Sequence, residues 1–238
     1  MTCRRLFITG TDTGVGKTQA ACWIARAMTA QGLCVGLYKP VCSGASTAAA
    51  ADRPRWDDVE QLSAAVGHAF PEDRICPQRF FAALAPPVAA MLEGRSVDEL
   101  ALVEGAAWWD DVVEILVIEG VGGWLSPISR TMTVADFAVR LGAPVLIVAA
   151  NRLGVINHSL LTIESIRARG LPIAGLLLNQ AEAPIEDDRC PLETTNLQEL
   201  ESRSGVAVLG TLSHGSRPNL IRAGEPIGVD WNRLLSAT

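Results

Sequence analysis

The sequence lacks three patterns that would place it in common functional classes. Its six cysteines include no C-x-x-C pair, so neither a zinc knuckle nor a dithiol redox motif is present. Its apolar runs are no longer than a strand, and none is long enough to cross a membrane. It has no run of basic residues and a net charge of −6, which argues against a nucleic-acid-binding surface. These absences favour a globular protein with neither a nucleic-acid nor a membrane partner.

The N-terminus also lacks the pattern of a secretion signal. Met1–Arg5 precede only a short apolar run, so we expect a cytoplasmic protein with reduced thiols. Cys22 and Cys34 fall on apolar faces and are predicted to be small core residues. The 238 residues suffice for one large α/β domain or two small ones. Because no repeat, low-complexity tract or long linker is present, we expect one domain over residues 1–238.

The most informative segment, residues 10–18, reads Gly-Thr-Asp-Thr-Gly-Val-Gly-Lys-Thr. It fits the phosphate-loop pattern G-x-x-x-x-G-K-T, and it lies between the strand-like run Leu6–Thr9 and the helical run Gln19–Ala30. Its glycines let successive backbone N–H groups turn around a phosphate, and the helix adds the positive end of its dipole. Lys17 would reach the β- and γ-phosphates, and the Thr18 hydroxyl would ligate Mg²⁺.

Apolar strand-length runs alternate with helical segments along the rest of the chain. Apolar residues at consecutive positions suit strands that are covered on both faces of a mainly parallel sheet. Helices are predicted over Leu100–Trp109, where Ser96–Glu99 form a capping-box pattern, and over two segments that end at Gly142 and Gly170. The later predicted strands are Cys34–Tyr38, Val113–Ile118, Val145–Ala150, Ile173–Leu178 and Val206–Gly210. The alternation predicts an α/β, three-layer, doubly wound fold of the P-loop type.

Polar or glycine-rich segments follow four of the predicted strands. In an open parallel sheet, ligands bind beyond the carboxyl ends of the strands, so these segments are expected to share one crevice. Lys39 follows the second strand and would face the phosphates beside Lys17, stabilising the charge that develops in phosphoryl transfer. Glu119 closes the third strand and would help to hold Mg²⁺. Asp57 or Asp58 would supply a second carboxylate, although helix capping also accounts for them.

Three further features have both a functional and a structural interpretation. Ser43 would hydrogen-bond a small anionic group of a substrate, or it is a turn serine. Residues 44–56 have the composition of a surface loop and would form a substrate lid. His158 is predicted to make a hydrogen bond at the start of a helix, because neither a metal-ligand pair nor a Ser-His-Asp set is evident around it.

Together, four motifs resemble those of the dethiobiotin synthetase family of P-loop enzymes. They are residues 10–18, residues 38–44 (Tyr-Lys-Pro-Val-Cys-Ser-Gly), residues 119–124 (Glu-Gly-Val-Gly-Gly-Trp) and residues 153–158 (Leu-Gly-Val-Ile-Asn-His). The resemblance implies an ATP- and Mg²⁺-dependent ligase of biotin synthesis, acting on 7,8-diaminononanoate with CO₂ or bicarbonate. One amine would capture CO₂ as a carbamate, and the carbamate oxygen would take the γ-phosphoryl group of ATP. The second amine would then close the ureido ring and release phosphate.

The resemblance also implies roles for individual residues. Lys17, Lys39 and Thr13 would be catalytic, while Thr18, Asp58 and Glu119 would hold Mg²⁺. The residues that bind the nucleotide would be Gly14, Val15, Gly16, Lys17, Thr18, Asp58, Glu119, Gly120, Val121, Gly122, Asn179 and Gln180. Asn179 would contact the adenine base. The residues that bind the substrate would be Ser43 and, across a homodimer interface, Gly154, Val155, Ile156 and Asn157.

Two alternatives stay open at this point. A paralogous P-loop ligase would carry the same motifs and act on another diamine or amino acid. An ATP-dependent partitioning switch would use the same phosphate loop, but such proteins place a lysine early in the loop, where this chain has Asp12. The segment Leu212–His214 stands where the family has Ile-Pro, near the base, so the nucleotide preference is also open.

Overall fold

The computed structural model describes residues 3–46, 54–180, 192–215 and 218–236, and it shows an α/β fold. The strands are β1 (Arg4–Gly10), β2 (Val35–Tyr38), β3 (Val41–Ser43), β4 (Gln78–Phe80), β5 (Ile115–Gly123), β6 (Val145–Ala150), β7 (Ile173–Asn179), β8 (Val208–Leu212), β9 (Leu220–Arg222) and β10 (Glu225–Pro226). The helices are α1 (Lys17–Ala30), α2 (Asp57–Ala65), α3 (Glu72–Ile75), α4 (Pro86–Leu92), α5 (Glu99–Ala107), α6 (Val134–Leu141), α7 (Val155–Ala168), α8 (Leu192–Ser204) and α9 (Trp231–Ser236). A 3₁₀ turn over Trp108–Asp111 follows α5.

The central sheet has the strand order β10-β9-β8-β7-β6-β1-β5-β2. Every pair from β8 to β2 is parallel, and β9 and β10 add an antiparallel edge. From β1 the chain moves out to β2 on one side and later to β6 on the other, so the strand order reverses at β1. Such a reversal opens a crevice at the carboxyl ends of the strands. The predicted mainly parallel, doubly wound fold is therefore confirmed.

The apolar runs fill the centre of the molecule as their composition requires. The carboxyl-terminal half of β1 and the first residues of β5 and β6 are buried, because helices cover both faces of the sheet. The rings of Phe7 in β1 and Phe137 in α6 pack edge to face, with their centroids 6.2 Å apart. Among the described residues, no helix combines the length and apolar character that crossing a bilayer requires.

The strand that carries Glu119 is longer than its apolar run predicts. Glu119 lies inside β5, which continues to Gly123, so the prediction that it closes the strand is wrong. The register of β5 against β1 shifts between Ile8 and Gly10, and Gly10 then pairs with Gly123. The glycine-rich segment is thus held as strand beside the start of the phosphate loop, where its missing side chains permit a close approach.

Other local predictions fail for identifiable reasons. The helix predicted over Leu100–Trp109 is present as α5 (Glu99–Ala107), but its N-cap is Asp98, whose carboxylate accepts the Ala101 N–H at 3.0 Å. The capping box on Ser96 is therefore wrong, since Asp98, two residues later, is an equally good cap. Cys34 is exposed, because β2 begins one residue after it, and the prediction that it is a core residue is also wrong. Cys22, in contrast, is buried in α1 as predicted.

The predicted lid lies mostly outside the described residues. Its ends, Ser46 and Arg55, are joined by an antiparallel bridge in which the Ser46 N–H donates to the Arg55 carbonyl at 2.7 Å. Residues 47–53 are not among those that the structure describes, and neither is Cys190. Five cysteines are described, and all of them are free thiols.

Candidate active site

The phosphate loop joins β1 to α1 and has the backbone that its glycines predict. Gly14 and Gly16 have φ values of +73° and +92°, a region that residues with a side chain rarely occupy. Gly10 is required for a different reason, since a Cβ there would lie 2.8 Å from the Asp12 carbonyl oxygen. The loop therefore turns tightly and presents its backbone at the N-terminus of α1, where the dipole favours an anion.

Lys17 is the first residue of α1, and its ammonium group lies over the loop. Its side chain is largely buried, and Nζ donates to the Asp12 carbonyl at 3.1 Å. Burial lowers the pKa of Lys17 to about 8, and the positive charge of Lys39 acts in the same direction. The carboxylates of Glu119 and Asp58 offset part of this effect. A group that carries several negative charges would relieve the unfavourable environment of this lysine.

Lys39 directly follows β2 and is enclosed by two carboxylates. Its Nζ donates to Asp58 Oδ2 at 2.5 Å and to Glu119 Oε1 at 2.7 Å. Burial alone would lower the pKa of Lys39, but these two carboxylates outweigh burial and raise it. Lys39 is thus held as a cation at every physiological pH, 3% exposed and directly after β2, the strand at one edge of the sheet.

Thr18, Asp58 and Glu119 place their oxygens around the same point. Glu119 Oε1 accepts the Thr18 hydroxyl at 2.7 Å as well as the Lys39 ammonium. Within the described residues, Glu119 Oε2 is buried and has no hydrogen-bond partner. Burial opposes ionisation of Asp58, but the charge of Lys39 and hydrogen bonds from Lys39 and Thr18 lower its pKa. Both carboxylates therefore meet the cationic lysine next to the phosphate loop.

This oxygen set fits Mg²⁺ better than it fits a transition metal. The described residues contain no cluster of three or more His, Cys, Asp and Glu side chains that could hold a metal ion by themselves. Mg²⁺ does not need such a cage, because it usually takes one or two carboxylates together with water and substrate phosphates. The orphan oxygen of Glu119 is one acceptor that a hard cation would satisfy.

A cleft of about 360 Å³ connects these groups. It is lined by Thr13, Gly14, Gly16, Lys17, Thr18, Gln19, Lys39, Cys42, Ser43, Asp58, Gln61, Glu119, Val121 and Gly122. Eleven of these fourteen residues are predicted from the sequence. They come from the loop after β1, from α1, β3, α2 and β5, and from the end of β2, which Lys39 directly follows. The topology thus brings together, at one end of the sheet, residues as far apart in the chain as Thr13 and Gly122.

The two adjacent aspartates are separated by the direction of α2. Asp58 faces the cleft and contacts Lys39, whereas Asp57 is exposed and accepts the Ser46 hydroxyl at 3.0 Å. Ser43 lines the cleft and donates its hydroxyl to the Leu84 carbonyl at 2.6 Å, which leaves its lone pairs as acceptors. Thr13 is exposed on the loop, and a Cβ on Gly122 would lie 3.4 Å from its Oγ1.

Four of the predicted nucleotide residues do not line the cleft. Val15 is buried beneath the loop, and Gly120 packs inside the sheet, where a Cβ would meet Val134 at 3.0 Å. Asn179 is buried at the end of β7, and Gln180 follows it with its N–H bonded to the Leu212 carbonyl at 2.9 Å. The structure thus places these residues under or beside the loop, and their nucleotide contacts stay predictions.

The segment Gly154–Asn157 also lies apart from the residues that line this cleft. Gly154, with φ of +93°, is the N-cap of α7, and the first turn of the helix has neither a side-chain cap nor an acidic residue. The neighbouring Leu153 is 93% exposed. His158 is in the first turn of α7, three residues after the helix begins, and its carbonyl accepts the Thr162 hydroxyl at 2.8 Å.

Sequence reasoning missed three residues that line the cleft: Gln19, Cys42 and Gln61. Gln19 directly follows Thr18, the threonine of the phosphate loop. Gln61 is three residues after Asp58, a spacing that places Gln61 and Asp58 on one face of α2. Cys42 lies inside the motif that contains Lys39 and Ser43. Burial raises its pKa to about 11, so its thiol stays protonated and is no nucleophile at neutral pH.

A second cavity of about 300 Å³ adjoins the cleft through Gln19 and Gln61. Its other lining residues are Cys22 and Arg26 of α1, Gly215 and Pro218. Gln19 reaches across to the Gly215 carbonyl at 3.5 Å, which connects α1 to the segment after β8.

The fold and the site together define a class of protein. A phosphate loop that joins the central strand of a parallel sheet to a helix is the structural mark of a P-loop nucleotide-binding protein. A family model described as "AAA domain" matches residues 4–217, which agrees with this assignment.

Comparison with known proteins identifies the family within this class. The chain is 44% identical over 206 residues to the ATP-dependent dethiobiotin synthetase of Anaeromyxobacter dehalogenans (strain 2CP-C), covering 87% of this chain and 89% of the relative. It is 37% identical over 230 residues to the ATP-dependent dethiobiotin synthetase of Rhodopirellula baltica, covering 92% and 87%. The chain therefore belongs to the ATP-dependent dethiobiotin synthetase family, and it is an ATP-dependent ligase of biotin biosynthesis.

Proposed function

We propose that this chain uses ATP to carboxylate 7,8-diaminononanoate and to close the ureido ring of dethiobiotin. One amine gives up a proton and takes CO₂ as a carbamate, and a carbamate oxygen then takes the γ-phosphoryl group with release of ADP. The second amine attacks the carbonyl carbon of the mixed anhydride, and phosphate leaves as the ring closes. The observation that carries the proposal is Lys39, a buried cation held beside Lys17 at the end of the phosphate loop.

The two lysines divide the work by their positions. Lys17, at the start of α1, is placed to neutralise the β- and γ-phosphates. Lys39 enters from the end of β2, and we propose that it meets the transferred group and the carbamate. Fixed positive charges at that point stabilise the charge on the equatorial oxygens during transfer, without reorganisation in the reaction step.

Thr18, Asp58 and Glu119 are proposed to hold Mg²⁺. When bound, Mg²⁺ would neutralise phosphate charge and orient the γ-phosphoryl group. The Thr18 hydroxyl and both carboxylates lie on one side of the phosphate loop, within reach of the same Lys39 Nζ. These residues would hold the metal against the phosphates rather than in a separate cage.

The diamine is proposed to bind between Thr13 and Ser43. Both residues line the same cleft as the two lysines. The Ser43 hydroxyl hydrogen is committed to the Leu84 carbonyl, so its oxygen is an acceptor for an amine N–H. Gly122 lines the cleft near Thr13, since a Cβ there would lie 3.4 Å from Thr13 Oγ1.

The nucleotide is proposed to extend from the phosphate loop past Gln19. The loop residues Gly14–Thr18 take the phosphates, and Val121 and Gly122 border them. The second cavity adjoins the cleft at Gln19 and offers amide groups, the Arg26 guanidinium and the apolar Pro218 to the nucleoside. Direct contacts of Asn179 and Gln180 with the base belong to the same proposal.

A homodimer is proposed to complete the site. The N-terminus of α7 offers backbone N–H groups to an anion, and the exposed Leu153 beside it offers apolar surface. The distant carboxylate of the nine-carbon substrate would bind at Gly154–Asn157 of a second copy. We further propose one domain over residues 1–238 and a cytoplasmic location, in line with the sequence analysis.

Product analysis tests the proposed reaction. The purified chain is incubated with ATP, Mg²⁺, bicarbonate and 7,8-diaminononanoate, and dethiobiotin is measured by mass spectrometry, with ¹³C-bicarbonate to mark the ring carbonyl. We expect labelled dethiobiotin and one phosphate per ring. ATP hydrolysis that another diamine stimulates and 7,8-diaminononanoate does not would favour the paralogous ligase. Hydrolysis that no amine stimulates would refute the ligase mechanism.

A further inference from the structure

Asn179 is fixed at the carboxyl end of β7, directly beneath the phosphate loop. It pairs with Ala150 of β6 on one side and with Leu212 of β8 on the other. Its carbonyl accepts the Asn151 N–H at 2.9 Å, and the residue is 1% exposed. Parallel strands on both sides therefore hold its backbone in place, and its side chain has little freedom.

The side chain of Asn179 bonds to the backbone of the loop. Its Nδ2 donates to the Val15 carbonyl at 3.0 Å, across 164 positions of sequence. The amide group lies so close that a Cβ on Gly16 would be 2.0 Å from Nδ2. Gly16 is therefore needed both for its φ of +92° and for its lack of a side chain.

The direction of this hydrogen bond bears on phosphate binding. The Val15 carbonyl and the Gly16 N–H belong to one planar trans peptide, so they point in opposite directions. Because Asn179 draws the carbonyl down into the protein, the N–H of Gly16 is turned the other way, and Gly16 lines the cleft. Fixing one carbonyl thus aims one of the donors that a phosphate oxygen would accept.

We infer that Asn179 is a positioning residue that presets the phosphate loop for a triphosphate, whatever base is attached to it. The inference rests on the proposed nucleotide site and adds to it a role distinct from contact with adenine. Both polar atoms of the Asn179 side chain point into the protein: Nδ2 is taken by Val15, and Oδ1 is buried without a partner among the described residues.

Inorganic tripolyphosphate distinguishes positioning of the phosphate loop from contact with the base, because it has no base. Binding of ATP and of tripolyphosphate, each with Mg²⁺, is measured by calorimetry for the wild type, Asn179→Asp and Asn179→Ala. Asn179→Asp keeps the shape but turns the donor into an acceptor that faces a carbonyl. We expect both ligands to lose affinity by the same factor, about tenfold in Asn179→Asp. In NMR spectra of the Asn179 variants, we expect the resonance of the Gly16 amide proton to shift less on binding tripolyphosphate than it does in the wild type.

Asn196→Asp is the matched control. Asn196 is a buried asparagine whose Nδ2 donates to the Asn151 side chain at 2.8 Å, without contact to the loop. We expect this variant to lose stability but to keep its affinity for both ligands. Asn179→Ala removes the donor without adding a charge, and it serves for the same comparison if Asn179→Asp does not fold.

Three results would overturn the inference. If the Asn179 variants lose affinity for ATP but not for tripolyphosphate, the residue serves the base alone. If Asn196→Asp loses as much affinity as Asn179→Asp, the effect is a general loss of structure. If the wild type binds neither ligand, the nucleotide site itself is refuted. Binding of both ligands without dethiobiotin formation would instead contradict only the proposed substrates.

Discussion

Removing the charge of Lys39 is expected to damage stability and turnover separately. In Lys39→Met, Glu119 would lose its cation while it remains 1% exposed. A buried carboxylate without a partner costs about 3–5 kcal/mol in unfolding free energy. Asp58 adds little, because its side chain is 40% exposed and water screens its charge. The loss of transition-state stabilisation should lower kcat by about two to three orders of magnitude, with ATP affinity largely retained.

A double-mutant cycle separates the ion pair from the packing. Unfolding by urea is measured for the wild type, Lys39→Met, Glu119→Gln and the double variant. The double variant leaves no unpaired charge at this pair, so it should be more stable than Lys39→Met. We expect a coupling energy of about 1–3 kcal/mol. Turnover should stay low in the double variant, because the cation is still missing.

Two outcomes would refute this reasoning. If Lys39→Met is as stable as the wild type, Glu119 does not depend on Lys39 as the buried geometry requires. If Lys39→Met keeps its kcat and only raises the KM for ATP, Lys39 serves ground-state binding rather than the transferred group.

Three further predictions concern the loop, the core and the subunit interface. Burial gives Lys17 a pKa of about 8, so Lys17 is charged below that pH, and ATP affinity measured by calorimetry should fall as the pH rises through 8. Lys17→Ala should bind ATP weakly and without this pH dependence. A flat pH profile of the wild type would contradict the assignment. Gly36→Ala would place a Cβ 2.5 Å from the Trp109 ring and should lower the unfolding free energy by about 1–3 kcal/mol. Gly228→Ala, with open space around the added Cβ, should leave the unfolding free energy unchanged. Equal effects of the two substitutions would refute the packing argument. Mixing inactive Lys17→Ala with inactive Gly154→Glu under subunit exchange should restore about a quarter of the wild-type activity. Half of the dimers are then mixed, and each mixed dimer has one intact site of two. No recovery despite proven exchange would argue against a shared site.

The sequence predicts which segments form the sheet better than it predicts where each strand begins and ends. Runs such as Val145–Ala150 match their strands because every residue is apolar and covered on both faces. β5 runs on to Gly123 because its glycines pair with β1 through a register shift, which hydrophobicity does not encode. The short strands β3 and β9 were not predicted, since three residues give no period to detect.

The candidate site divides in the same way between local and non-local information. The phosphate loop has a fixed local geometry, so its residues could be placed from their spacing alone. The contacts among Lys39, Asp58 and Glu119 join three separate parts of the chain. The strand-end argument brought only Lys39 and Glu119 near each other, and the family resemblance selected Asp58. That Asn179 bonds to Val15 could not be predicted, because it depends on which way an amide turns beneath a loop 164 positions away.

The two borders of the central sheet have a consequence for how copies of this chain can meet. At one border, β10 is only Glu225–Pro226, exposed and charged, and its proline has no N–H to offer. At the other, β2 is buried along its length, and the adjoining Lys39 N–H donates to the Ile75 carbonyl of α3 at 2.7 Å rather than to a strand. Both borders thus discourage the strand-by-strand growth that leads to aggregates. The proposed dimer would therefore form through side-chain surfaces such as the one at Leu153, where association closes after two copies.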